Sequence, residues 1–168
     1  MSRRVAIFPG SFDPPTEGHL NIVKRGVEIF DEVVVAVSES ISKKYAFTPE
    51  ERVALWEKLL NKVPGARVET FSGLLVDYVK RRGSKIILRG LRNVTDFEYE
   101  IQMATTNRKL NPKIETVFIM TEGTYSHIAA SLIKEVVAMG GSAKGMVPLL
   151  VEKELRKRLH HKKQTVES

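Results

Sequence analysis

Cysteine is absent from the 168 residues of this chain. Its absence excludes disulfides, thiolate metal sites and a cysteine nucleophile. Long apolar runs are also lacking. The apolar part of the N-terminal sequence is far too short for a signal peptide, and no stretch is long enough to span a bilayer. We therefore expect a cytoplasmic protein with no membrane partner.

Several common catalytic motifs are missing as well. The chain has no G-x-x-x-x-G-K-[ST] phosphate loop, no G-x-G-x-x-G fingerprint and no G-x-S-x-G nucleophile elbow. The glycine-rich segment Gly140–Gly145 follows a helical pattern, which predicts a helix C-cap and a turn. No spacing of His, Asp or Glu indicates zinc. The adjacent His160 and His161 point in different directions on a helix, so we expect no metal held by the protein alone.

Basic residues outnumber acidic ones, which gives a formal net charge of +7. Six Lys and Arg residues against two Glu residues from Lys153 onward contribute +4 of this charge. A basic tail on an amphipathic helix is typical of a solvated face, and the rest of the chain is close to neutral. The sequence therefore offers no broad basic face of the kind that binds nucleic acid, and we expect no such partner.

Strand and helix patterns alternate along the chain. Short apolar or β-branched runs predict five strands, and apolar residues at helical spacing predict the helices between them. This order implies an α/β fold with a doubly wound parallel five-stranded sheet and helices on both faces. We expect a single domain over residues 1–160 and a disordered basic tail over residues 161–168. The predicted strands are Arg4–Phe8, Glu32–Val37, Ala66–Phe71, Lys85–Arg89 and Glu115–Met120; the predicted helices are His19–Phe30, Pro49–Leu60, Leu74–Arg82, Asp96–Leu110, Ser131–Met139 and Pro148–His160.

The loop Pro9–His19 carries the strongest functional signal. It follows the first strand, and ligands of doubly wound sheets bind beyond the carboxyl ends of the strands. Gly10 allows close approach of the backbone to a ligand, and Ser11 offers a hydroxyl and an N–H group. His19 stands at a helix N-terminus, where free N–H groups and the helix dipole favour phosphate. The alternative is a helix-capping loop with an incidental histidine.

Within this loop, Thr16-Glu17-Gly18-His19 resembles the T/H-x-G-H signature of the nucleotidyltransferase superfamily, whose members have a Rossmann-like fold. Four further stretches resemble the phosphopantetheine adenylyltransferase family, and the similarity runs from about residue 4 to residue 155. The resemblance implies transfer of the adenylyl group of ATP to 4′-phosphopantetheine, which gives dephospho-coenzyme A and pyrophosphate in coenzyme A biosynthesis. The four stretches are Ser42–Arg52, Phe71–Val79, Leu88–Ala104 and Ser131–Val136.

The resemblance also implies roles for individual residues. His19, Lys43 and Arg89 are implied as catalytic, and the acceptor is implied to contact Ser11, Lys43, Leu75 and Arg89. The implied cofactor is Mg²⁺, bound mainly through ATP phosphates and water, and the implied assembly is a homo-oligomer, commonly a hexamer. The implied ATP contacts are Ser11, Phe12, His19, Gly90, Leu91, Arg92, Glu100 and the segment Tyr125, Ser126, His127, Ile128, Ala129, Ala130 and Ser131.

The reaction itself agrees with these residue types. A phosphate monoester is already ionised, so its attack on the α-phosphorus of ATP needs neither a general base nor a protein nucleophile. What remains is alignment of two polyanions and stabilisation of charge at the transferred group. We expect His19, Lys43, Arg89 and Arg92 to supply donors and positive charge.

Structural alternatives exist for several of these residues. Lys43 and Lys44 also fit a solvated loop pair, Arg89 also fits an ion pair with Asp96 or Glu98, and Glu100 also fits an acid on a helix surface. The functions that remain open are a related nucleotidyltransferase with another phosphate acceptor, such as nicotinate mononucleotide or glycerol 3-phosphate, and a non-catalytic module that binds nucleotide or nucleic acid.

One segment departs from the family pattern. Ala129 and Ala130 stand where the family usually has serines, and His127 stands where it usually has an aromatic residue. Two hydroxyl groups suited to phosphate oxygens are therefore missing, although Ser131 and the backbone N–H groups remain. We expect ATP to bind, but more weakly than with the serines. The departure also leaves room for an altered enzyme.

Overall fold

The computed structural model describes residues 3–39 and 44–164, the last five of them by their backbone alone. The order of strands and helices agrees with the predicted order, and the bounds differ by a few residues at most. The strands are β1 Val5–Gly10, β2 Glu32–Ser38, β3 Ala66–Phe71, β4 Ile86–Leu91 and β5 Glu115–Met120. The α-helices are α1 Glu17–Ile29, α2 Pro49–Leu60, α3 Leu75–Arg81, α4 Val94–Leu110, α5 Ala130–Ala138 and α6 Leu149–Gln164, with a 3₁₀ helix at Gly123–Tyr125.

The five strands form one parallel sheet in the order β3-β2-β1-β4-β5. Val5 lies opposite Glu32 on β2, and Ala6 lies opposite Ile86 on β4. The direction of winding reverses between β1 and β4, and in open α/β sheets ligands bind in the crevice at such a reversal. The predicted Rossmann-like sheet is confirmed, and its switch point lies beside the loop that carries His19.

Helices cover both faces of the sheet because successive strand residues point to opposite sides. Val33, Val35 and Val37 pack in one cluster with residues of α1 and α2, including the fully buried Trp56. The intervening Val34 and Ala36 pack on the other face against α3. A third cluster joins α5 and α6 to the start of α2.

The helix starts follow local capping chemistry. Thr48 accepts a hydrogen bond from Glu51 N, and the Glu51 side chain accepts one from Thr48 N, which confirms the predicted start of α2. The α4 helix begins two residues earlier than predicted, because the side chain of Asn93 accepts from Asp96 N and caps it. At the end of α5, Gly140 has a φ of +92°, so the predicted C-cap is confirmed.

The C-terminal helix α6 continues to Gln164, four residues into the segment predicted as a disordered tail, and residues 165–168 lie outside the described part. Three of its basic residues form ion pairs: Arg156 with Glu152, Lys157 with Glu154, and Arg158 with Glu51 of α2. None of the helices in the described ranges combines the length and apolar character needed to cross a bilayer.

Candidate active site

Two adjoining cavities open beyond the carboxyl ends of β1 and β4. The first cavity has a volume of about 380 Å³ and reaches from His19 to the start of α5. The second cavity, of about 450 Å³, lies between the end of β2, Leu75 at the start of α3, and α4. The residues that line both cavities, and therefore form their boundary, are Pro9, Gly10, Ser11, Arg89 and Glu100.

The loop after β1 is shaped by the ring of Phe12. A Cβ atom at Gly10 would lie 2.8 Å from Phe12 Cζ, so the backbone passes the ring only because residue 10 is glycine. Phe12 itself has a φ of 49° and is buried. Its ring meets Trp56 and His19 edge-on, with centroids 5.2 and 5.0 Å apart. The Phe12 side chain therefore packs against His19 and holds the loop after β1 in its conformation.

His19 is held at the first turn of α1 by Thr16. Thr16 N donates to His19 Nδ1 at 3.1 Å, and His19 N donates to Thr16 Oγ1 at 3.2 Å. Since Nδ1 accepts a hydrogen bond, the ring proton of the neutral form lies on Nε2. Burial, together with the positive charges of Arg92 and Arg89, lowers the pKa of His19 to about 3. In the free protein His19 is thus a neutral hydrogen-bond donor, and Arg89 and Arg92 carry the positive charge beside it.

Arg89 lies at the boundary of the two cavities and forms a fork with Glu100. Arg89 Nε donates to Glu100 Oε2 at 2.8 Å, and Nη2 donates to Oε1. Arg89 Nη1 donates to the carbonyl of Pro9 at 2.6 Å. The partner is therefore neither Asp96 nor Glu98, and the interpretation of Glu100 as a surface acid is wrong, because Glu100 is buried. Its carboxylate fixes the guanidinium of Arg89 before any ligand binds.

Arg92 joins the start of α4 to the segment before α5. Its Nε and Nη2 atoms donate to the carboxylate of Asp96 at 2.8 and 3.0 Å. Its Nη1 atom donates to the carbonyl of Ile128 at 2.7 Å. Arg92 lines the first cavity and connects two of its walls through these hydrogen bonds.

The start of α5 forms the far wall of the first cavity. Ala129 is the N-cap residue, and no side chain within residues 44–159 caps this helix. The first N–H groups of a helix have no partner within the helix, so they are available to an anion. Ile128, Ala129, Ala130 and Ser131 all line the cavity, as does Tyr125.

Most of the predicted site residues come together here, and their contacts with ligands remain predictions. Gly90 also lines the first cavity, and Leu75 lines the second. Three predicted ATP contacts do not line either cavity: Leu91 is buried, Ser126 donates to the carbonyl of Gly123, and His127 is exposed. Lys43 lies outside the described residues.

Several residues that line the cavities were not predicted, among them Asp13 and one side of α4. Asp13 is a buried carboxylate in the first cavity that accepts hydrogen bonds from the N–H groups of Ala46 and Phe47 and pairs with Lys134 at 2.8 Å. A buried aspartate inside the motif loop offered no sequence signal beyond its position. A further group lies on one side of α4, where the helical spacing of the side chains was a usable signal: Tyr99, Met103, Ala104 and Asn107.

No cluster of three or more His, Cys, Asp or Glu residues suited to a metal ion occurs in the described ranges. The three carboxylates of the first cavity are Asp13, Asp96 and Glu100, and each is ion-paired with a Lys or Arg residue. Because these carboxylates are already engaged in ion pairs, the cavity fits a Mg²⁺ ion that is held mainly by ligand phosphates and water. Mg²⁺ commonly binds in this way in nucleotide sites.

The chain matches the family described as Cytidylyltransferase-like over residues 7–136. It is 53% identical over 152 residues to the phosphopantetheine adenylyltransferase of Clostridium novyi (strain NT), a match that covers 90% of this chain and 94% of the relative. The enzyme of the same name from Dictyoglomus thermophilum is 50% identical over 150 residues, covering 89% and 92%. The one from Clostridium botulinum is 44% identical over 163 residues, covering 97% and 99%.

The family model covers more than half of the chain, and each of these relatives matches 89% or more of it. The chain therefore belongs to the cytidylyltransferase-like nucleotidyltransferases and, among them, to the phosphopantetheine adenylyltransferase family.

Proposed function

We propose that this chain transfers the adenylyl group of ATP to 4′-phosphopantetheine, giving dephospho-coenzyme A and pyrophosphate. The observation that carries this proposal is the meeting of two cavities at Ser11 and Arg89, with His19 in the first. A transfer between two polyanions needs two binding spaces that join where the phosphorus atom is transferred. Family membership assigns the same reaction.

ATP is assigned to the first cavity. Its phosphates are expected to face His19 and the uncapped start of α5, where N–H groups are free. 4′-Phosphopantetheine is assigned to the second cavity, with its phosphate at the boundary beside Ser11 and Arg89. This arrangement brings the acceptor phosphate to the α-phosphorus from the side opposite the leaving pyrophosphate.

In this mechanism, an oxygen of the acceptor phosphate attacks the α-phosphorus in line, the bond to the bridging oxygen breaks, and pyrophosphate leaves. No covalent enzyme intermediate forms. His19 donates a hydrogen bond from Nε2 to the transferred group, and Arg89 places positive charge where negative charge increases. Lys43 is assigned a parallel role on the acceptor side. Mg²⁺ bound to ATP would neutralise the phosphates.

The lining of the second cavity favours pantetheine over smaller acceptors. Phe71, Leu75 and Met103 contribute apolar side chains to the lining of this cavity. A pantetheine arm is long and flexible with apolar segments, whereas glycerol 3-phosphate and nicotinate mononucleotide place polar hydroxyl groups next to their phosphates. A related transferase with one of these acceptors is the second candidate, and this lining favours it less.

The α4 helix supports a homo-oligomer, and family resemblance suggests a hexamer. Among its 17 residues only Glu100 and Asn107 are buried, and both are polar. Its large apolar side chains are exposed instead, and a helix whose apolar side faces solvent is typical of an interface between subunits. These side chains are Val94, Phe97, Tyr99, Ile101, Met103 and Leu110. A cytoplasmic location follows from the proposed role in coenzyme A synthesis.

The proposal is tested by pyrophosphate release from Mg-ATP with and without 4′-phosphopantetheine. We expect release that depends on the acceptor and falls about 10²–10³-fold in His19→Ala, the cost typical of one lost transition-state donor. Ile29→Ala is the control, because Ile29 is exposed at the end of the same helix and does not line either cavity. Release only with glycerol 3-phosphate or nicotinate mononucleotide would establish the second candidate instead.

A further inference from the structure

Arg52 on α2 is completely buried, with an exposed fraction of 0%. Arginine is almost never fully buried unless a carboxylate or another anion compensates its charge. Here the hydrogen-bond acceptors of the guanidinium are three main-chain carbonyl groups, and none of the carboxylates in the described ranges forms an ion pair with it. Asp13 is buried as well, but it is already paired with Lys134. Among the described residues, the charge of Arg52 therefore has no carboxylate in direct contact.

The positions of the three carbonyls show which segments of the chain Arg52 connects. Arg52 Nη1 donates to Ser11 O at 2.5 Å, in the loop after β1, and to Ser38 O at 3.1 Å, at the end of β2. Arg52 Nε donates to Thr48 O at 3.3 Å, at the start of α2. One side chain thus fastens both ends of the connection between β2 and α2 and ties this connection to the motif loop.

The same guanidinium also supports the wall of the second cavity. It lies over the ring of Tyr45, 4.3 Å from the ring centroid. Tyr45, Ser11 and Ser38 all line the second cavity, whereas Arg52 itself is behind them. Arg52 Nη2 is buried and has no hydrogen-bond partner among the described residues. Behind this wall, a buried donor is thus left without a partner and a buried charge without a contacting carboxylate, which is costly in the absence of an anion.

We propose that Arg52 is a positioning residue for the phosphorylated acceptor: it fixes the wall formed by Ser11, Ser38 and Tyr45, and its buried charge attracts the acceptor phosphate. This inference rests on the proposed function, which places that phosphate beside Ser11. Arg52 acts through the wall, since it exposes no atom to a ligand. The phosphate adds negative charge on the cavity side of the wall, and the buried position of Arg52 reduces the screening of their attraction by solvent.

The test compares binding of 4′-phosphopantetheine with binding of pantetheine, which lacks the phosphate, by titration calorimetry. Arg52→Met removes the charge and all three hydrogen bonds, and Arg52→Lys keeps the charge. Arg158→Met is the matched control, because Arg158 also holds the start of α2, through Glu51, and does not line either cavity. The ratio of the two affinities isolates the contribution of the phosphate to binding. A purely structural role of Arg52 would leave this ratio unchanged.

We expect the wild type to prefer the phosphorylated compound and Arg52→Met to lose this preference by about tenfold or more, with ATP affinity changed by less than about threefold. Arg52→Lys is expected to retain most of the preference for the phosphorylated compound. Its kcat is expected to be lower than that of the wild type, because a lysine cannot hydrogen-bond to all three carbonyls. Arg158→Met is expected to match the wild type in all three quantities.

An unchanged affinity ratio in Arg52→Met would overturn the proposal, as would a wild-type protein that binds both compounds equally. If Arg52→Met does not fold, loss of the preference in folded Arg52→Lys would overturn the role of the charge. Failure of the proposed function has a different signature, because wild-type protein would then release no pyrophosphate with 4′-phosphopantetheine.

Discussion

Arg89, Arg92 and Lys134 are paired with the carboxylates that line the first cavity, so the positions of these charges are fixed before a ligand binds. Glu100 and Asp13 lie on different elements from Arg89 and Lys134, whereas Asp96 lies in the first turn of α4, four residues after Arg92. Each pair also anchors a backbone group. Such an arrangement costs little reorganisation at the moment of reaction. His19 is different, since it contributes a neutral hydrogen-bond donor whose proton position is set by Thr16.

The low pKa of His19 predicts a pH dependence of stability. The ordinary pKa of histidine is about 6.5, whereas the folded-state pKa of His19 is about 3. Between these values the unfolded chain binds one more proton than the folded chain. The free energy of unfolding contributed by this group is therefore fully retained above pH 6.5 and falls as the pH decreases, by up to about 1.4 kcal/mol per pH unit.

Urea unfolding of the wild type and His19→Gln at pH 7, 6 and 5 measures this effect. The variant is expected to lose less stability on acidification than the wild type, because glutamine does not titrate. Ile29→Gln, which changes an exposed residue on the same helix and adds no titratable group, serves as the control and should follow the wild-type profile. Parallel profiles for the wild type and His19→Gln would show that His19 is not kept neutral by the fold.

At the scale of elements, the strands and helices could be predicted because their signals are local. The capping residues Thr48 and Gly140 and the β-branched run of β2 each specify a boundary or a strand with few neighbours in sequence. The side-chain pairs could not be predicted, because they depend on how elements cross. Arg89 reaches Glu100 only since α4 packs back over β4, and Asp13 reaches Lys134 across 121 residues.

The start of α5 carries a prediction of its own. Ala129 occupies the N-cap position without a capping side chain, and a serine there usually stabilises a protein by about 0.5–2 kcal/mol relative to alanine. Ala129→Ser is therefore expected to raise the thermal midpoint. The double variant Ala129→Ser/Ala130→Ser is expected to bind ATP more tightly as well, because two hydroxyl groups then face the first cavity.

Thermal unfolding and ATP titration of the two single variants and the double variant separate these effects. Ala130→Ser alone lies within the helix and should not raise the thermal midpoint. An ATP affinity that fails to improve in the double variant would show that the backbone N–H groups alone carry the phosphate contacts.

At the scale of the whole molecule, α4 has one side in the site and another side exposed to solvent. Its buried side places Glu100 against Arg89, and its exposed side carries Phe97 and Ile101. Met103 and Tyr99 line the second cavity while they remain partly exposed. A partner subunit that covered this helix would therefore hold one wall of the acceptor cavity in place, and assembly and activity are expected to depend on each other.

Ile101→Glu tests this dependence. Ile101 is 42% exposed on α4 and does not line either cavity, so the substitution leaves the site chemistry intact while it places a charge in the expected interface. Light scattering is expected to show a hexamer for the wild type and smaller species for the variant, with a raised KM for 4′-phosphopantetheine. Ile29→Glu, which changes a 48% exposed isoleucine at the end of α1, is the matched control and should remain hexameric. An Ile101→Glu protein that assembles like the wild type would place the interface elsewhere, whereas a smaller species with unchanged KM would separate assembly from the acceptor cavity.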